Sequence, residues 1–130
     1  MRNFLFLFLT TLLIFLSGCA SQNETVNYNT VYMERCLATG MMAVGLDDEI
    51  RLERGLPALD GMYIANVEPR SAADAAHIKR DDVLLQVGDA EVYDKESFAK
   101  AFLAQEGKKR VMVKIWRKGG IFNFELPLTF

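Results

Sequence analysis

The sequence predicts an α+β domain: a partly open β-barrel or sandwich of five to six strands with two or three helices. Three observations predict it. Val111, Val113 and Ile115 alternate with Met112, Lys114 and Trp116, and Phe122, Phe124, Leu126 and Leu128 then alternate with Asn123, Glu125 and Pro127 across a Lys118-Gly119-Gly120 turn. This is a hairpin with one buried face per strand. Residues 61–67 and 82–87 are runs rich in side chains that suit a pleated surface. After Asp94, Phe98, Ala101, Phe102 and Gln105 follow at helical spacing, with Gly107 as a stop.

The other elements follow in order. Gly40 to Val44 is a short apolar strand. Asp47 and Asp48 stand before residues 49–54, where acidic side chains meet unpartnered helical amides, and Gly55 ends that helix. Pro69 ends the strand at 61–67. Ser71 caps a brief Ala-rich helix over 72–76. Gly88-Asp89 turns the chain after the strand at 82–87. The helix capped by Asp94 is expected to be the longest.

The formal net charge is −2 over 130 residues, and Arg2 is the one charge within residues 1–18. This mild acidic balance argues against nucleic acid, which requires a concentrated basic face. Lys108-Lys109-Arg110 reads as a solvated turn before a strand. No His/Cys cluster has metal-ligand spacing, so no metal or other cofactor is expected. No enzyme is expected either. His77 is the sole histidine, Ser71 reads as a helix cap, and Gly-x-Ser-x-Gly is absent.

The N-terminus carries a separate signal. Met1-Arg2-Asn3 is a short positive segment, and residues 4–16 form an apolar run interrupted by Thr10 and Thr11. The run is shorter than the roughly 20 residues that span a bilayer, but it has the length of an export signal. Leu16-Ser17-Gly18-Cys19 resembles the bacterial lipobox. That resemblance implies cleavage after residue 18, a diacylglycerol on the Cys19 sulfur and an acyl chain on its amine. Two or three chains hold a membrane firmly, at about 0.8 kcal/mol per buried methylene. The implied location is the bacterial cell envelope, on the outer membrane facing the periplasm. Residues 19–37 are then expected to be the lipidated cysteine and a tether, with Tyr28, Val31, Tyr32 and Leu37 hinting that its later part packs down. Cys36 is left as a buried small hydrophobe or a thiol that pairs with another chain.

Residues 67–84 (Val-Glu-Pro-Arg-Ser-Ala-Ala-Asp-Ala-Ala-His-Ile-Lys-Arg-Asp-Asp-Val-Leu) resemble the signature of bacterial PDZ domains, nearest to those of periplasmic trypsin-like heat-shock proteases. Val87-Gly88-Asp89, the pair Phe98 and Phe102, and Arg117-Lys118-Gly119 resemble later parts of that family. The domain is placed at residues 38–130. Arg70, His77 and Asp81 stand where the family has Gly, so reshaped turns are expected there.

The resemblance implies a module that adds a peptide as a strand and holds its C-terminal carboxylate in a loop of inward-pointing amides. That loop is placed at Ala38-Thr39-Gly40-Met41, with Val44-Gly45-Leu46 as the second candidate. Met41, Met42 and Val44 are expected on the groove floor. Phe98, Phe102 and Leu103 are expected on the helix, each shared between groove and core. The implied partners are C-termini or extended segments of envelope proteins, plus the membrane through the lipid anchor. A structural or adaptor subunit of an envelope protease or secretion assembly, with a closed groove, is the alternative.

Overall fold

A computed structural model describes residues 25–128; the expected signal segment, Cys19 and residues 20–24 of the expected tether lie outside them. Asn27 accepts a hydrogen bond from the Thr30 amide at 3.2 Å and opens helix α1, Tyr28–Thr39. At 12 residues this is the longest helix among those described, a place the sequence reading assigned to the helix after Asp94. Residues 28–37 are therefore not tether. The reason is periodicity: Tyr28, Val31, Tyr32, Cys36 and Thr39 recur on one helical face. Tyr32 and Thr39 are buried, and Tyr28, Val31 and Cys36 pack against the core. Leu37 points out and is 82% exposed. No helix among the described residues is long and apolar enough to cross a membrane.

The chain continues through β1 (Met41–Gly45), α2 (Asp48–Arg54), β2 (Met62–Val67), α3 (Ala72–Ala75), β3 (Val83–Val87), β4 (Ala90–Glu91), α4 (Lys95–Leu103), β5 (Arg110–Arg117) and β6 (Gly120–Pro127). The expected caps form. Asp47 accepts from the Ile50 amide, Ser71 from the Asp74 amide and Asp94 from the Ser97 amide, and the Ser97 hydroxyl answers back to the Asp94 amide. The strands make one antiparallel sheet in the order β1-β2-β3-β5-β6, with β4 paired to β3. Among the described residues the architecture is α+β, an open six-stranded sheet with four helices, and it does not close into a barrel. An irregularity between Met42 and Ala43 shifts the β1–β2 register. β1 and β6 are left as sheet edges.

The core is built on Val113, Ile115 and Leu126, where the alternation placed it, and on Ile64 and Leu84 of the central strands, and Phe98 and Phe102 close over it. At the far end of the last hairpin the pattern weakens, because Phe122 is 46% exposed.

The turns at Arg70, His77 and Asp81 are not reshaped. Their φ values are 60°, 66° and 73°, so all three residues hold the left-handed conformation that glycine adopts freely. Local bonds hold them there. The Arg70 amide donates to Asp74 Oδ2 at 2.9 Å, and the Asp81 amide donates to the Ile64 carbonyl at 3.0 Å. The His77 carbonyl accepts from Arg117 Nη2 at 2.7 Å. Arg117 also grips both oxygens of Asp82 at 2.7 Å, and Asp82 Oδ2 takes the Lys79 amide at 2.8 Å. Asp82 is buried, so this fork is what makes its charge tolerable. No local pattern in the sequence marks its partner Arg117, 35 residues away.

Two stability outcomes follow, both read from urea denaturation midpoints. Arg117→Ala strands a buried carboxylate and is expected to cost about 3 kcal/mol. His77→Gly relieves an exposed left-handed residue and is expected to stabilise by about 0.5–1 kcal/mol, the strain relieved exceeding the added chain entropy.

Candidate functional site: the groove between β1 and α4

β1 has a sheet neighbour on one side only; α1 packs against it, and α4 packs against α1. Edge strands leave outward main-chain groups that must find partners. In this domain those partners are side chains of α1, which lies between the strand and α4. The Tyr32 hydroxyl donates a short hydrogen bond to the Ala43 carbonyl. The Cys36 thiol lies beside the same residue: burial pushes its pKa up, and the Ala43 main chain, the Tyr32 hydroxyl and Lys95 partly offset that rise.

On its other side α1 meets α4. The Tyr32 ring packs edge-on against Phe98 at 5.5 Å, and Phe98 stacks tilted on Phe102 at 4.7 Å. Lys95 lies over the Tyr32 ring at 5.3 Å, and Lys100 lies over the Tyr28 ring at 5.2 Å. Arg35 pairs with Glu106 at 3.1 Å. Each such contact is worth about 1 kcal/mol or less in typical settings, so the helix is held by many weak ties.

The gap expected between the Gly40 strand and the Phe98 helix is therefore occupied by the protein's own helix. Phe98 and Phe102 are fully buried core residues, and Leu103 is half-buried. Met41 faces the core, Met42 is 53% exposed on the opposite face of β1, and Val44 is half-buried. The residues predicted to line the groove thus divide between core and surface, because a strand sends alternate side chains to opposite faces.

Ala38 to Met41 does not form a loop of free amides. Thr39 is the last residue of α1, and its hydroxyl donates to the Arg35 carbonyl at 2.6 Å. Gly40 caps the helix with φ 76°, its amide donating to the Cys36 carbonyl at 2.9 Å, and the Met41 amide donates to Thr39 Oγ1 at 3.4 Å. Gly40 is required twice over. The left-handed cap favours glycine, and a Cβ there would collide with the Ser71 side chain. The space that remains, bounded by Cys36, Leu37, Gly40, Met41, Met42, Asn66 and Glu68, is about 100 Å³. Ligand pockets run to about 300 Å³ and more, so this remnant is only the mouth of a filled groove.

A larger hollow of about 750 Å³ lies on another part of the surface, lined among others by Arg54, Lys79, Asp81 and Trp116. Four of its charges pair, Arg117 with Asp82 at 2.7 Å and Arg54 with Asp81 at 4.0 Å. The Ser71 hydroxyl is engaged as a cap, donating to the Glu68 carbonyl at 2.7 Å, and His77 is exposed. Among the described residues no three His, Cys, Asp or Glu side chains gather as a metal ion would require.

Tyr32 and Cys36 are the groove residues that sequence reasoning missed. The signal was the four-residue spacing of Tyr28, Tyr32 and Cys36 after the cap Asn27, hidden by the polar run in front of it.

An open antiparallel sheet whose edge strand faces a capped helix across a groove defines a small class of α+β recognition folds. The chain belongs to the PDZ domain family, whose profile matches residues 38–128. No curated protein matches the chain. Among solved structures it is similar to an HtrA-type protease AlgW with decapeptide, at TM-score 0.63 and 19% identity, over 69% of this chain and 28% of that one. It is similar also to the HtrA3 PDZ domain bound to a phage-derived ligand (FGRWV), at TM-score 0.58 and 17% identity, over 69% of this chain and 82% of that one. The chain thus spans under a third of the protease chain and most of the isolated domain. The family match begins at residue 38, so most of α1 precedes it.

The packing of Tyr32 has a pH consequence. Burial, followed by the nearby Cys36, pushes its pKa up to about 12 from an ordinary 10.0. Its neutral form is the one that packs. The stabilisation is therefore complete below about pH 10 and is lost as pH rises through 12. Over that window the wild-type chain is expected to lose more stability than Tyr32→Phe, measured as the difference in urea midpoints between the two proteins.

Proposed function

We propose that this chain is a non-catalytic, lipid-anchored protein-binding module of the bacterial cell envelope, which takes C-termini or extended segments as an added strand on β1. The observation that carries the reading is the state of Ala43. It sits on a sheet edge, and its outward carbonyl is met by a side chain, not by another strand. A peptide strand would satisfy the same edge with main-chain bonds, and side-chain pockets would select its sequence. Membership of the PDZ family supports the reading, and so do the peptide ligands named for the two similar structures. The anchor rests on the lipobox at residues 16–19.

A second reading has its own observation. With α1 lying in the groove, the domain suits a fixed folded partner as a structural or adaptor subunit of an envelope protease or secretion assembly.

The two readings separate by the chemistry of the ligand. A displayed library of C-terminal heptapeptides is screened against the full chain in detergent micelles. Strand addition predicts that N-methylation at alternate peptide residues weakens binding by at least about 10-fold, because each methyl removes a ladder donor. Amidating the peptide C-terminus then reports whether a carboxylate is read. Binding indifferent to N-methylation, or confined to a folded partner, would sink strand addition. Substituting Met41→Glu is not a groove test here, because Met41 is core, and that variant is expected to unfold. Separately, intact-mass measurement of the membrane fraction is expected to find a chain beginning at acylated Cys19; an unprocessed N-terminus would refute the anchor.

A further inference from the structure

The geometry points to α1 as a displaceable plug: the helix and a peptide strand compete for the same edge of β1, so that binding requires the helix to leave. This inference rests on the strand-addition reading and adds its regulation. Three observations carry it.

The first is which groups α1 uses. It takes the Ala43 carbonyl through Tyr32. Its C-terminal turn also takes the Gly40 amide through the Cys36 carbonyl and the Met41 amide through the Thr39 hydroxyl. These are the main-chain groups at the start of β1 that an added strand or a terminal carboxylate would need. A single helix consumes both sets, so a peptide cannot reach them while α1 is docked.

The second is how lightly the helix is held. Tyr32 is its one fully inserted large side chain, while Met33 and Leu37 face outward at 55% and 82% exposure. Beside the partly buried packing of Tyr28, Val31 and Cys36 on the core, its polar ties to α4 include cations over rings and an ion pair whose Glu106 side chain is 63% exposed. Such contacts are individually weak, and water replaces most of them when the helix lifts.

The third is where the helix sits in the chain. β1 and every later element lie within the family match, whereas most of α1 lies before it. The sheet does not use α1 for its strand pairing, since β1 is hydrogen-bonded to β2 from Met41 to Gly45.

In such a competition the apparent affinity for peptide equals the intrinsic affinity scaled by the fraction of molecules with the helix undocked. Whatever loosens α1 without touching β1 therefore tightens peptide binding. Tyr32→Phe keeps the ring on Phe98 and removes the hydroxyl's bonds to the Ala43 carbonyl and the Cys36 thiol, so in that variant the effect of peptide on Cys36 alkylation is read against the same variant without peptide. Glu106→Lys replaces the Arg35 pairing with repulsion on the solvent side, outside the groove.

The test uses the full chain in detergent micelles, with fluorescent C-terminal heptapeptides ending in Val, Leu, Phe or Met as the probe. Peptide affinity is read by fluorescence polarisation, and helix undocking is read separately as the alkylation rate of Cys36, located by mass spectrometry after digestion. Near-UV circular dichroism confirms that each variant is folded. The expected result is that Tyr32→Phe binds about 3- to 10-fold tighter than wild type and Glu106→Lys about 2- to 4-fold tighter. Saturating peptide should also speed Cys36 alkylation at least about fivefold. Equal affinities in all three proteins, with Cys36 labelling unmoved by peptide, would overturn the plug and leave strand addition at another edge standing. Faster Cys36 alkylation in the variants with no peptide bound by any of them would overturn strand addition itself, and the competition with it.

Discussion

The arrangement turns on one requirement: the outward main-chain groups of a sheet edge cannot be left dry and unpaired. β1 is such an edge, and the domain meets the requirement at Ala43 with Tyr32 instead of another strand. Placing a tyrosine there demands a helix to carry it and a ring partner to hold it. It therefore draws in α1, the Phe98 contact and the cap at Gly40 together. A side chain that satisfies a backbone carbonyl is a poorer match than a full ladder, because it answers one group at a time. An edge closed in this way is quiet toward chance pairing, and on the proposed reading a partner offering a run of main-chain donors and acceptors displaces the closure.

The opposite end of the domain is tied more firmly. Asp82, Arg117 and the His77 carbonyl make a fork that joins the turn after α3 to the end of β5, with a buried carboxylate at its centre. Buried charge pairs of this kind lose much of their value if one partner goes, so this end resists local opening. The contrast matters for function. A recognition domain gains from a rigid scaffold at one end and a loosely fastened element at the other, because opening the second need not unfold the first. The left-handed residues at positions 70, 77 and 81 belong to the rigid end, where hydrogen bonds to Asp74, Arg117 and Ile64 hold conformations that their side chains disfavour.

Much of the fold was legible from local chemistry. The caps at Asp47, Ser71 and Asp94 each act within three or four residues, and the alternation in 111–128 needs only a two-residue period to declare its buried face. The candidate site was less legible. Met41 and Met42 looked equivalent as flexible apolar neighbours, yet the pleat sends one into the core and the other to solvent. Phe98 and Phe102 looked like groove walls because the helical spacing says which face they share, not what that face meets. Thr39 and Gly40 looked like a binding loop because the family resemblance calls for a glycine-bearing amide turn at the start of the first strand. That turn caps a helix here, and its amide is already bonded.

By itself, the sequence determined those features whose causes lie within a few residues of one another: the order of the main strands and helices after residue 40, their caps and stops, the family signature at 67–84, and the apolar segment and cysteine at the N-terminus. The tertiary structure alone decided what fills the space between β1 and α4. That outcome depends on Tyr32 meeting Ala43, 11 residues away, and Arg35 meeting Glu106, 71 residues away. Contacts across such separations arise only once the sheet has fixed where each element stands. The spacing in residues 28–39 marks a helix with one packing face, but it does not say which strand edge that face meets.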